Sequence, residues 1–106
     1  MQFVTFAQVD KTQYPEFPGG TSAFQQYLIQ HLKSDFNIIL DKKSEEWYIE
    51  FTINEIGQVI DVTILSDQIP ISIQTAMKYI LLKMPLWSPG VNQEGKPSKF
   101  QFILSF

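Results

Sequence analysis

The spacing of apolar residues switches between two periods along this chain, and each switch marks an element. Ala23, Phe24, Tyr27, Leu28, His31 and Leu32 recur at three- and four-residue intervals, the spacing of one helix face. Ser22 and Gln25 stand at capping-box spacing ahead of that stripe, where the Ser oxygen accepts an otherwise unpaired backbone N–H. Together they predict a first helix over about Ser22 to Lys33. From Trp47 the period is two, with Trp47, Ile49, Phe51 and Ile53 on one side and Tyr48, Glu50, Thr52 and Asn54 on the other. Beyond Glu55-Ile56-Gly57-Gln58, Ile60, Val62 and Ile64 alternate against Asp61 and Thr63. Two alternating runs around a short glycine-bearing turn predict an antiparallel hairpin with one solvated face.

The helical period returns with Ile73, Ala76, Met77, Ile80, Leu81 and Met84. Pro70 suits the first turn of this second helix, where its missing N–H costs nothing. Pro85 disfavours helical geometry at Met84 and so ends it. The closing run alternates again, Phe100, Phe102, Leu104 and Phe106 against Gln101, Ile103 and Ser105. Ile38-Ile39-Leu40 fits either a helix extension or a buried loop anchor, and the pattern leaves both open. Residues 1–20 read as an extended arm: Pro15 and Pro18 oppose helix, and Gly19-Gly20 permits a turn.

The order helix, strand, strand, helix, strand defines an α+β domain over residues 21–106. Two helices pack on one face of a three-stranded antiparallel or mixed sheet, because three one-faced strands need one covering layer. The last strand is expected beside the first, which leaves both outer strands as edges.

Composition narrows the function. With 106 residues, 44% hydrophobic and 18% charged, the chain suits one globular domain. A net charge of -3 argues against nucleic acid, whose phosphates require a basic face. The absence of cysteine excludes disulfides, thiolate zinc sites and cysteine nucleophiles. No apolar run approaches the ~20 residues that span a bilayer. Gln2 to Val9, with Phe3, Val4, Phe6 and Val9, lacks the basic flank and apolar length of a signal peptide, so the chain reads as an excised or mature domain.

Catalysis finds little support. The single histidine, His31, has no second histidine with which to share a metal and is expected as a packed or half-exposed helix residue. Glu45, Glu46, Glu50, Asp61 and Asp67 are the acidic candidates. Glu50 and Asp61 share the hairpin's wet face as prospective cross-strand neighbours, but an acid/base pair needs one pKa raised by burial. Gly19-Gly20 is followed by no P-loop lysine and preceded by no Rossmann strand. We expect no enzyme, no metal and no cofactor. Trp87, between Pro85 and Pro89, is expected as a core plug rather than a ligand-stacking surface. The last strand stands out because Gln101 to Ser105 contains no proline and no charge, the usual protections of an exposed edge. Lys99, Phe100, Gln101, Phe102, Ile103, Leu104 and Ser105 are therefore the candidate peptide-binding residues, by strand addition. The competing expectation is an edge shielded by the N-terminal arm or by a neighbouring molecule in a crystal.

Several segments stand in a telling order: Pro15-Glu16-Phe17-Pro18-Gly19-Gly20, the hairpin Phe51 to Val59, Met84-Pro85-Leu86-Trp87-Ser88-Pro89-Gly90, the loop Asn92 to Pro97 and the aromatic strand Phe100 to Phe106. This order resembles the C-terminal domain of TonB proteins, over about Val9 to Phe106. The resemblance implies a periplasmic domain on a parent chain anchored in the inner membrane. It implies capture of a short extended segment, the TonB box, of an outer-membrane transporter, and coupling of inner-membrane energy to transport. Phe100 to Leu104 would be the receiving strand, and Pro18, Gly19, Gly20, Gly57, Trp87, Pro89 and Gly90 would support the fold. A homodimer is compatible with it. The alternative is a TonB-like interaction module of another envelope protein, a sensor or regulator without energy transduction.

Overall fold

A computed structural model of the chain describes residues 2–5, 12–40 and 46–106, the first four through their backbone. Phe6, Val9 and Glu45, named above, lie outside the described residues. The elements are β1 (Gln2–Thr5), α1 (Gly20–Phe36), β2 (Tyr48–Ile53), β3 (Val59–Ile64), α2 (Ile71–Lys83) and β4 (Phe100–Ser105). The sheet order is β1-β4-β2-β3, antiparallel at every pairing. The expected α+β architecture and the placement of β4 beside β2 both hold. The expectation of two open outer strands does not: β1, inside the predicted arm, pairs along β4 and makes a fourth strand.

Both helices cover one face. Phe24, Leu28 and Leu32 of α1 and Ala76, Met77, Ile80 and Leu81 of α2 are buried in one cluster with Ile49, Phe51, Ile53, Phe100, Phe102 and Leu104 of the sheet. These are the residues selected by the two periodicities. α2 ends as expected, with Met84 extended before Pro85. Pro70 sits just outside α2, and its carbonyl accepts the Ile73 and Gln74 N–H groups, each at 3.0 Å.

α1 departs from expectation at both ends. Gly20 N–H donates to the Phe17 carbonyl at 2.7 Å, and Gly19 is left-handed at φ 89°. Pro then left-handed Gly in the two central positions is a type II turn. It delivers the chain into the helix two residues early, so Ser22 lies inside α1 and forms no cap. At the far end Asn37 is left-handed, and the N–H groups of Asn37 and Ile38 close onto the carbonyls of Lys33 and Leu32. The reversal makes the following triplet a loop anchor: Ile38 and Leu40 pack on the core while Ile39 is 68% exposed.

The hairpin carries a register shift that alternation alone did not foresee. Glu50 pairs with Thr63 and Thr52 with Ile60, so Asp61 and Val62 stand opposite Phe51 alone. The extra residue is taken up at Asp61, at φ 55°, which makes this a β-bulge. Its consequence is a change of face. Val62 and Ile64 pack on the core, whereas Ile60 pairs with Thr52 and is not among the core residues. Glu50 and Asp61 are consequently not cross-strand partners.

Trp87 is 3% exposed and sits among Phe17, Phe24, Phe51 and Phe102, with ring centroids 5.2–5.9 Å away. Its indole N–H donates to the Met84 sulfur at 3.2 Å. The expected core plug is what the fold contains. Its backbone N–H donates to the Gly57 carbonyl at 2.8 Å, and a Cβ on Gly57 would run into the Trp87 carbonyl. The hairpin turn and the Trp87 segment thus lock together through a contact that only glycine allows.

Candidate functional site

The site is built around β4, and hydrogen-bond alternation decides which groups it offers. Trp47 and Phe106 exchange both backbone hydrogen bonds, at 2.8 and 3.0 Å. Antiparallel ladders alternate bonded and non-bonded pairs, and the β2–β4 register runs unbroken from Tyr48↔Ser105 to Ile53↔Phe100. Phe100, Phe102 and Leu104 therefore direct their N–H and C=O groups to β2. Gln101, Ile103 and Ser105 direct theirs to the opposite side. That side is occupied in part by β1, with Gln2 opposite Ser105, Phe3 opposite Leu104, Val4 opposite Ile103 and Thr5 opposite Phe102. The competing expectation, shielding by the arm, describes this edge.

Side chains divide by the same parity. Phe100, Phe102 and Leu104 are buried under the helices; Gln101 is exposed and Ile103 half-buried on the other face. Ser105 is also buried, and its hydroxyl has no hydrogen-bond partner among the described residues. Lys99 is exposed at the entrance of the strand. The candidate residues are thus one contiguous strand with two roles: even-numbered positions build the core and odd-numbered positions present backbone to a neighbour.

The supporting residues gather below this strand. Gln13 and Val91 exchange backbone hydrogen bonds, as do Glu16 and Ser88. This ties the Pro15 to Gly20 segment against the stretch that holds Trp87, Pro89 and Gly90. Gly90 packs where a Cβ would meet the Phe100 ring and Pro15. Pro18, Gly19 and Gly20 form the turn into α1.

Elsewhere, a groove of about 230 Å³ lies between the helices, lined by Tyr27, His31, Asp35, Tyr79, Ile80 and Lys83. His31 is half-buried, as expected, and its Nδ1 lies 2.8 Å from the Asp35 carboxylate, one helical turn on. That hydrogen bond is the main cause holding the Asp35 carboxyl below its ordinary value. Glu46, Asp61 and Asp67 are exposed. Among the described residues no three acidic or histidine side chains gather as a metal site, and no helix is long and apolar enough to cross a membrane.

β1 was missed as a strand. Its signal was present in Phe3, Val4 and Thr5, residue types that favour strands, but four residues next to a proline-containing arm carry too little periodicity to pair by inspection. Comparison with protein-family models, curated proteins and solved structures finds no match to this chain.

Proposed function

We propose that this domain is a peptide receptor of the TonB type, working by strand addition on β4, without catalysis or a bound cofactor. Its ligand would be the extended N-terminal segment of an outer-membrane transporter, captured in the periplasm by a domain whose parent chain is anchored in the inner membrane. The observation that supports this best is the outward row of backbone groups on Gln101, Ile103 and Ser105. Two positions of this row, Ile103 and Ser105, already pair with a short extended segment of the chain itself, Gln2–Thr5. The order of the Pro-Gly-Gly turn, the hairpin, Trp87 and the aromatic strand supports the same reading.

Magnitudes favour a weak, reversible complex. Three residues offer at most six backbone hydrogen bonds, roughly 3–9 kcal/mol at ~0.5–1.5 kcal/mol net each. Association costs on the order of 4 kcal/mol or more. Side-chain burial must supply the difference, and micromolar affinity is expected. A coupler that must release its partner operates in that range. Strands pulled along their length load many hydrogen bonds together, so weak binding is compatible with resistance to force.

The test is calorimetric titration of transporter N-terminal peptides against wild type and the proline variants at Gln101, Ile103 and Ser105, with circular dichroism as the fold control. Each proline removes one outward N–H and should weaken capture. Folded variants that all bind as wild type does would exclude the edge as the site.

A further inference from the structure

We infer that β1 is an internal competitor for the receiving edge: an extended partner pairs with β4 only by displacing Gln2–Thr5. This rests on the strand-addition reading above and adds how that site is regulated.

The backbone pairing of β1 is short. Its four residues pair with Phe102 to Ser105, and by the alternation derived above only Gln2↔Ser105 and Val4↔Ile103 are bonded pairs. At most four backbone hydrogen bonds join it to β4. Short outer strands of this kind lie at the low-stability end of a fold and open locally.

Release of β1 also leaves the segment from Gln13 to Phe17 anchored. Gln13 is bonded to Val91 and Glu16 to Ser88, and Phe17 is buried beside Trp87. None of these contacts passes through β1, so displacement leaves the turn into α1 in place.

The opposite boundary of the sheet is a poor substitute. β3 carries the bulge at Asp61, a device that interrupts an edge and discourages further pairing. The straight edge is therefore the β4 side, and β1 already holds it.

The occupant describes its competitor. A displacing segment is extended and antiparallel to β4, with uncharged residues over four positions. An apolar residue suits the place opposite the buried Leu104, where β1 has Phe3, and a small residue of strand-forming type the place opposite the buried Phe102, where β1 has Thr5. The place opposite half-buried Ile103 tolerates more. Apparent affinity is the intrinsic affinity reduced by the fraction of molecules in which β1 is undocked.

A reversible lock tests this in the full chain. The protein has no cysteine, so Val4→Cys with Ile103→Cys introduces the only thiols. Paired residues at a bonded position lie about 5.5 Å apart between Cα atoms, within disulfide reach. The probe is a fluorescent synthetic peptide copying residues 1–9, followed by anisotropy. The reduced protein should bind it, and the oxidised protein should lose binding until reductant restores it. Val4→Pro, which removes one β1 N–H and leaves β4 intact, should tighten binding by a few fold to about tenfold, the range that one backbone hydrogen bond carries.

The outcomes separate the two ideas. Equal binding by locked and reduced protein puts the peptide elsewhere, on the outside of β1 included, and overturns both the edge reading and the competition. Binding abolished by the lock but unchanged in Val4→Pro keeps the edge and means that β1 is already undocked in the reduced protein, which overturns its role as a competitor. No binding by any form, Val4→Pro included, overturns the displacement of β1, and the transporter-peptide titration then judges the edge alone. Failure of the paired thiols to cross-link in folded protein overturns a docked β1 as well.

Discussion

β4 has two neighbours and is held by them in different ways. Toward β2, six residues pair with six in unbroken register, and Ile49, Phe51 and Ile53 lie buried beneath the helices beside Leu104, Phe102 and Phe100. Toward β1, four residues pair with four, and Gln13 and Glu16, further along the chain, are tied to Val91 and Ser88 instead. Fully burying a large apolar side chain contributes ~1.5–3 kcal/mol, against ~0.5–1.5 kcal/mol for a backbone hydrogen bond. The β2 flank is therefore part of the core, whereas the β1 flank has the shorter backbone pairing, four residues against six. The competition inferred above requires this strand to be committed on one side and exchangeable on the other.

Damage to the core beneath the β2 flank should have the largest effect. Trp87→Ala removes the ring enclosed by Phe17, Phe24, Phe51 and Phe102 and should cost roughly 3–5 kcal/mol in denaturant unfolding. A loss below about 1 kcal/mol together with lost peptide binding would recast Trp87 as a ligand contact. Gly57→Ala comes next. Gly57 has φ 90° and faces the Trp87 carbonyl, so a side chain there is strained and displaces the hairpin from Trp87. Roughly 1–3 kcal/mol of destabilisation is expected; thermal melts matching wild type would show that the contact is not tight.

The β1 flank should respond locally. In Val4→Pro the global stability change should stay below about 1 kcal/mol, the scale of one hydrogen bond. Hydrogen exchange then sharpens the comparison within a single strand. The amides of Ile103 and Ser105, which face β1, should lose protection, while those of Phe102 and Leu104, which face β2, should keep it. Equal loss at all four would show that the two flanks open as one unit.

The smallest effect belongs to the helix layer, away from both flanks. Asp35 has its pKa lowered from 3.8, chiefly by the hydrogen bond from His31. A depressed carboxylate contributes stability that is present above its unfolded value and lost as pH falls through the folded value. Asp35→Asn should therefore lie slightly below wild type in thermal stability at mildly acidic pH and converge with it below the ordinary carboxylate range. Asp35 is exposed, so the gap should be barely measurable. A large gap, or one that widens on acidification, would contradict the assigned cause.

Legibility followed the distance over which each feature is decided. The helix stripes, the hairpin turn at Gly57, the stop at Pro85 and the burial of Trp87 were all readable, because each follows from side chains within a few residues of one another. The α1 cap was misjudged over the same short range: Ser22 and Gln25 have capping-box spacing, but the type II turn at Pro18-Gly19 starts the helix before Ser22 is reached. Ile60 was assigned to the face of Val62 and Ile64 because strict alternation has no place for an inserted residue. The bulge at Asp61 arises only when β3 is fitted against β2. The candidate strand was legible at its full length, but its edge is open only in part, since Gln2 to Thr5 cover Phe102 to Ser105.

What the sequence determined by itself is the set of one-faced elements, their order and the residues each would bury, because periodicity and steric preference act along the chain. Only the tertiary structure decided the neighbour of β4 on its outer side. Backbone N–H and C=O groups are the same at every residue, so an exposed edge does not specify its partner by pattern. The partner is whichever extended segment the fold delivers there, and the fold delivers Gln2 to Thr5 from the opposite end of the chain.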